Sequence, residues 1–315
     1  MTIPPDDLRY THRRAGLDHD WFEHQSLFAR PPVQWPGGAK LALWITVPIE
    51  FYPLDAPAQP FRPVGGLDRP YPDVWGFSNR DYGNRIGLYR IMRVLDRFGL
   101  RATAAMNSEI APRYPRVLEE VLRRDWEIMA SGVDMGHLHH DGLTPDAEHA
   151  LISESVATLR TAAARPIVGW HSPGHSQSMN TLALLPALGI SYVADWINDD
   201  LPYAIRTPTG TLHALPLTHE LSDRKILVQH DRTVEDYEAQ VLAAFHHLVA
   251  ESGRHGGRLL SLSVSPWIIG YPHRIRAFER ILDAILKMAS VWPATGVQIV
   301  EAFKMQTSVT EKGSS

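Results

Sequence analysis

Residues 41–47, LALWITV, form an apolar run of strand length without alternation, the pattern of a strand buried on both faces. Beyond it the chain alternates between two periodicities. Residues 84–98 place Ile86, Tyr89, Met92 and Leu95 on one helical face, and Gly99 stops the helix. A short strand is predicted over 101–106, a helix over 115–124 and a strand over 126–130. Thr144-Pro145 is an N-cap followed by a first-turn proline, and opens a helix that reaches residue 163. Strand-like runs at 166–170 and 190–194 flank a helix over 181–188, and a further short run covers 211–215. A helix over 233–252, a strand over 259–264, a helix over 274–289 and a last strand over 296–300 complete the chain.

Strands that alternate with helices, with no break in composition, predict the α/β class: one distorted (β/α) barrel of about seven parallel strands. A doubly wound open sheet is the alternative. It is disfavoured because no glycine fingerprint follows the first strand. The barrel domain is assigned to residues 41–305, behind an irregular arm (1–40) and ahead of a flexible tail (306–315). The arm either wraps a neighbouring subunit or packs as a loop. Residues 53–83, rich in Pro and Gly and without period, are predicted to be a long loop.

Composition narrows the chemistry. The chain has no cysteine, which excludes disulfides, thiolate metal sites and cysteine nucleophiles. Lys and Arg number 31 against 35 Asp and Glu, so no basic nucleic-acid groove is expected. The first residues are polar and proline-bearing rather than signal-like, and no run approaches a membrane span. A cytoplasmic protein with a small-molecule substrate, and with neither nucleic acid nor membrane as partner, is the expectation. Trp21, Phe22, Phe28, Phe51, Tyr52 and Trp75 in the arm and long loop are more apolar than solvated segments should be, so a homo-dimer or homo-tetramer is expected.

In barrels of this kind, chemistry gathers at the C-terminal ends of the strands. The residues that follow each predicted strand are Glu50; Asn107; Ser131, Asp134 and the cluster His137, His139, His140; Trp170, His171 and His175; Asp195, Trp196, Asp199 and Asp200; Thr218, His219 and Glu220; and Ser265 and Trp267. For each a plainer role exists. Glu50 would pair with Arg80 or Arg85, the histidine cluster would be a solvated loop, and the aspartates beside Pro202 would serve a turn. The arm histidines His12, His19 and His24 are read as surface residues.

The stretches WPGGAKLALWITVPIEFY, RDYGNRIGLYRIMRVLDRFGLRATAAMN, WEIMASG, VGWHSPGHS, YVADWINDDLPY, LPLTHELSD and SVSPWIIGYPHRI resemble, in order, the polysaccharide deacetylase superfamily. Within it the likeness is to the branch of metal-independent allantoinases and cyclic imide hydrolases. The resemblance implies an aspartate pair after the first strand, two histidines four apart after the third and a late histidine-proline pair. Here those places read Ile49-Glu50, Ser131 and Met135, and Ser265-Pro266. Serine and thioether are poor zinc ligands, so no cofactor and no stoichiometric zinc are expected.

The function expected is hydrolysis of a non-peptide C–N bond in a small cyclic amide, imide or ureide. Glu50 would be base or substrate anchor and His171 the acid, with His137 or His139 as fallback. Asn107 would hold carbonyl oxygens, and Trp170, Trp196 and Trp267 would form flat walls. Ser131, Asp195, Asp199, Glu220 and Ser265 complete the expected substrate contacts. Two alternatives remain: a metal-dependent deacetylase with a site rebuilt from His137, His139 or His140 with His171 and Glu50, or a binding protein that has lost catalysis.

Overall fold

The apolar run becomes the central strand β1 (Leu41–Ile49), buried along almost its whole length. The structure, a computed structural model, describes residues 19–54, 72–288 and 290–312, with side chains to Gln306. After β1 the chain forms α1 (Val74–Tyr82), a π turn over Gly83–Gly87, α2 (Leu88–Arg97) and β2 (Thr103–Met106). α3 (Ile110–Arg113), α4 (Pro115–Arg123), β3 (Glu127–Ala130), α5 (Pro145–Ala163) and β4 (Gly169–Trp170) follow. Next come α6 (Thr181–Leu184), β5 (Tyr192–Val193) and a hairpin of β6 (Tyr203–Thr207) and β7 (Gly210–Ala214). A second π turn (Arg224–Gln229), α7 (Val234–His255), β8 (Arg258–Ser263), α8 (Ile275–Leu286), β9 (Val291–Pro293) and α9 (Gly296–Lys312) end the chain.

The strands form one sheet in the order β6-β7-β5-β4-β3-β2-β1-β8, with β9 beside β1. Among the described residues only β6 runs antiparallel, against β7. The register is continuous across the middle: Thr46 of β1 stands beside Thr103 of β2 and Ser263 of β8. The result is a curled, mostly parallel half-barrel with helices outside. Its interior is filled by Trp44, Ala105, Met129, Tyr192, Leu215 and Leu217.

The predicted barrel class holds, and several elements differ from expectation. Residues 296–300 are not a strand but the first turns of α9. Glu127 reaches the helix start, accepting from the Val297 N–H at 3.1 and 3.2 Å, while Thr103 Oγ1 accepts from Gly296 N–H at 3.0 Å. A Cβ on Gly296 would lie 2.6 Å from the Tyr192 hydroxyl, so only glycine lets the helix start there. The helix continues to Lys312, so residues 306–312 of the predicted tail are helical. The predicted loop 53–83 contains α1, with residues 55–71 outside the described part. The π turn adds a residue ahead of α2, which turns Ile86 out (44% exposed) and directs Leu88, Ile91, Met92 and Leu95 inward.

The arm packs on its own chain. Trp21 and Phe22 meet Trp196 edge to face at 5.4 and 5.6 Å, and His19 stacks on Trp21 rather than facing solvent. Phe51 lies under the Arg113 guanidinium, and Tyr52 is drawn into a polar cluster. Of the aromatics expected to join subunits, only Phe28 and Trp75 are largely exposed. His12 lies outside the described residues, and His24 is exposed as expected.

Candidate active site

The parallel strands other than β9 end at the same rim, and there the chain lines a cavity of about 360 Å³. Glu50, His171, Asp195, Ser265 and Trp267 line it, joined by His175, Thr218, His219, Arg224 and Gln229. Glu50 and Ser265, from β1 and β8, therefore share one end of the barrel. The second π turn explains Arg224 and Gln229, since a spacing of five brings both to one face of a π turn.

Glu50 has a partner, though neither of the arginines expected. Arg224 Nη2 donates to its Oε2 at 2.9 Å, and the Tyr52 hydroxyl donates to the same oxygen at 2.9 Å. Arg85 instead pairs with Asp81, and Arg80 lies over Tyr52 (4.5 Å) and Trp267 (5.0 Å). Arg224 also faces the Trp267 ring at 5.5 Å. Burial works against the Arg224 charge, but Glu50 and Tyr52 beside it hold its pKa above the ordinary range. Burial pushes the Tyr52 hydroxyl up to about 12, so it remains a donor. Behind this group Asp223 is wholly buried. It accepts from the N–H groups of Ser265 (2.7 Å) and Ile269 (3.2 Å), which fixes the turn carrying Ser265 and Trp267. Burial raises its pKa to about 7.

The opposite wall is built from imidazole. His171 leaves β4 with its N–H bonded to Ala130 O, and its Nδ1 meets Ser131 Oγ at 3.2 Å. Its Nε2 faces Nε2 of His175 at 3.3 Å. Gly132, at φ 68°, lies against Pro173: a Cβ there would approach the proline ring to 2.3 Å. The close approach seats the His171–His175 turn on the end of β3. Asp195 is gripped by the Ser172 N–H and hydroxyl (both 2.7 Å) and by Gln177 Nε2 (2.5 Å). Burial, together with the charge of Arg224, pushes His171 down to about 4, and burial likewise depresses His175 and His219. All three imidazoles are neutral at pH 7. Burial raises the Asp195 carboxyl.

Other predicted site residues are used elsewhere. Asn107 is buried as a staple: Oδ1 accepts from the Phe51 N–H at 2.8 Å and Nδ2 donates to Ser131 O. Ser131 stands behind His171 rather than on the wall. Trp170 is core, its indole N–H donating to Ser172 Oγ at 2.8 Å. Trp196 serves the arm cluster, Asp199 pairs with Arg30 at 2.6 Å, and Glu220 is exposed near Lys225. His137 is half exposed against Asp134. His139 is buried against Glu148 at 3.1 Å, and His140 accepts from the Gly142 N–H at 3.0 Å. The deacetylase site imagined from these three does not form at the cavity.

Nor do the ligand positions implied by the family resemblance suit a metal. Ser131 Oγ is engaged with His171, Met135 offers a buried thioether, and Glu50 is committed to Arg224 and Tyr52. Sequence reasoning missed Arg224 and Gln229, and weighed His175 and His219 without selecting them. The polar run from Thr218 to Arg224 was the signal; which of its members turn inward depends on the π turn.

Residues 81–193 match the family model for polysaccharide deacetylase. A Schizosaccharomyces pombe protein that carries the name polysaccharide deacetylase is 24% identical over 298 residues, 85% of this chain and 92% of that one. Among solved structures, Puue allantoinase superposes with a TM-score of 0.75 at 23% identity, over 87% of this chain and 94% of its own. A Mycobacterium smegmatis protein, also named as a polysaccharide deacetylase, gives 0.73 at 24% identity, over 88% and 95%.

Proposed function

We propose that this chain, whose barrel is that of the polysaccharide deacetylases, is a hydrolase that opens a C–N bond in a small cyclic amide, imide or ureide. The observation that carries the reading is the pairing, across one small cavity, of a fixed guanidinium with a wall of neutral imidazoles. Ring opening of an amide needs a donor for the developing oxyanion, a group that accepts a proton from water, and a donor for the departing nitrogen. Arg224, aimed by Glu50 and Tyr52, supplies the first. Trp267, held against Arg80 and Arg224, gives the cavity an apolar wall beside the guanidinium. The wall of His171, His175 and Asp195 is where water is activated. His219, whose ring centroid lies 5.9 Å from that of His175, carries the proton to the leaving nitrogen. Glu50 is thereby the anchor of the two roles open to it. The likeness in fold to an allantoinase supports the substrate class.

The test is a ring-opening assay of the purified chain over a panel of cyclic amides, imides and ureides, with acetylated sugars as the competing class. Turnover of a cyclic substrate that falls at least a hundredfold in Arg224→Lys is expected, because an ammonium cannot reproduce the guanidinium fork. Deacetylation of the sugars with no ring opening overturns the reading.

A further inference from the structure

The two Nε2 atoms of His171 and His175 point at one another across 3.3 Å, with a carboxylate oxygen of Asp195 close by; all three ligand atoms lie within 4.8 Å of one another. Two imidazole nitrogens bound to one tetrahedral cation at 2.0–2.1 Å stand about 3.3 Å apart. The observed separation is that value, whereas it is long for a direct hydrogen bond. We infer that His171, His175 and Asp195 form a binding site for a first-row divalent cation of the zinc type, displaced by one strand from the place the family resemblance implies. The inference deepens the proposed hydrolysis, and rests on that reading only for the role of the cation in turnover.

The supporting groups are those of a prepared ligand set. A metal-bound histidine is oriented through its other ring nitrogen; Nδ1 of His171 is met by Ser131 Oγ at 3.2 Å, so the serine at the ancestral ligand position serves here as the orienting partner. The Asp195 carboxylate is immobilised by three donors from Ser172 and Gln177. His175 holds a left-handed backbone (φ 57°), a conformation costly for a non-glycine residue, and this conformation accompanies the facing of its ring to His171. Two imidazoles and one carboxylate leave a fourth position toward the cavity, the composition of catalytic rather than structural sites. The charge of Arg224 reaches both histidines; its guanidinium is paired with Glu50, and the Asp195 carboxylate supplies the opposing negative charge beside His175.

Chelator-treated full-length protein titrated with Co²⁺ tests the site directly. One equivalent should bind with the visible absorption of four-coordinate cobalt, and Zn²⁺ should displace it. Asp195→Asn and His175→Asn should each weaken binding at least tenfold; asparagine tolerates the left-handed backbone, so the second variant keeps the turn. Thermal melts of both variants confirm folding, and His137→Ala, outside the cavity, should bind as the parent does. No cobalt uptake, or uptake unchanged in both folded variants, overturns the site. Ring opening that persists in metal-stripped protein also overturns the role in turnover while leaving the hydrolase reading standing. Cobalt binding without ring opening of any cyclic substrate does the reverse.

Discussion

At the scale of single residues, two carboxylates flanking Arg224, one on the cavity wall and one buried behind it, do different work because their partners differ. Glu50 accepts from Arg224 and Tyr52, so its charge orients a guanidinium. Glu50→Gln keeps the shape and an acceptor for Tyr52 but removes that orienting charge. The expected result is a fall in kcat of about a hundredfold, matching that of Arg224→Lys, with the protein folded. A further fall of the same size when the change is added to Arg224→Lys would make Glu50 the base instead. Asp223 is wholly buried, and the donors of Ser265 and Ile269 offset that burial only in part, so its pKa rises from 3.8 to about 7. Raised in the folded state, it favours folding fully below pH 4, and that contribution is lost as the pH climbs through about 7. The span is worth roughly 4 kcal/mol at most. Asp223→Asn should flatten the stability profile between those pH values, as measured by urea unfolding at pH 4.5 and pH 8. A variant profile as steep as the parent's would assign the dependence to other groups.

Among elements, those with a strong local signal were legible and those set by neighbours were not. β1 and the helices capped by Thr144 and Thr233 follow from period and cap chemistry; in both helices the threonine hydroxyl accepts the N–H that its spacing suggests. The edge strand β6 went unread because its five residues have half-exposed faces and draw their order from pairing with β7. Gly296–Val300 reads as a strand by its β-branched residues, yet Glu127 and Thr103 at the foot of the barrel receive its first N–H groups and make it a helix start. The same limit applied to the site: Glu50, His171, Asp195, Ser265 and Trp267 follow directly from strand ends. Arg224 and Gln229 reach the cavity through a π turn that no local periodicity announces. Asn107, just after β2, and Trp170, the last residue of β4, turn inward into the fold instead. The α9 start supplies a prediction. Glu127→Gln places an amide N–H₂ against donors, leaving a buried group unsatisfied; it should cost about 1–3 kcal/mol by denaturant unfolding and leave KM unchanged. A shift in KM without loss of stability would mean that the foot of the barrel communicates with the rim.

For the whole molecule, the open seam of the half-barrel gives the arm its purpose. The sheet ends at β6 on one side and β8 on the other, and unpaired strand edges invite association. The arm answers both. Arg206 N–H of β6 donates to Trp21 O at 2.7 Å, and Gly257 N–H, just ahead of β8, donates to Val33 O at 2.6 Å. Between these points Arg30 pairs with Asp199, and just beyond them Trp35, almost wholly buried, donates from its indole to Arg258 O at 2.7 Å. Residues 19–40 are thus a strap across the seam. Trp35→Ala removes a buried indole and its hydrogen bond, and should destabilise the chain by about 3–5 kcal/mol. Trp21→Ala with Phe22→Ala strips half-buried rings from Trp196 and should cost less, about 1–3 kcal/mol. Because the strap guards edges, both variants should also scatter light at temperatures below their unfolding midpoints, where the parent does not. Midpoints equal to the parent's would mean that β6 and β8 are held by the sheet alone, and that the strap covers the seam without supporting it.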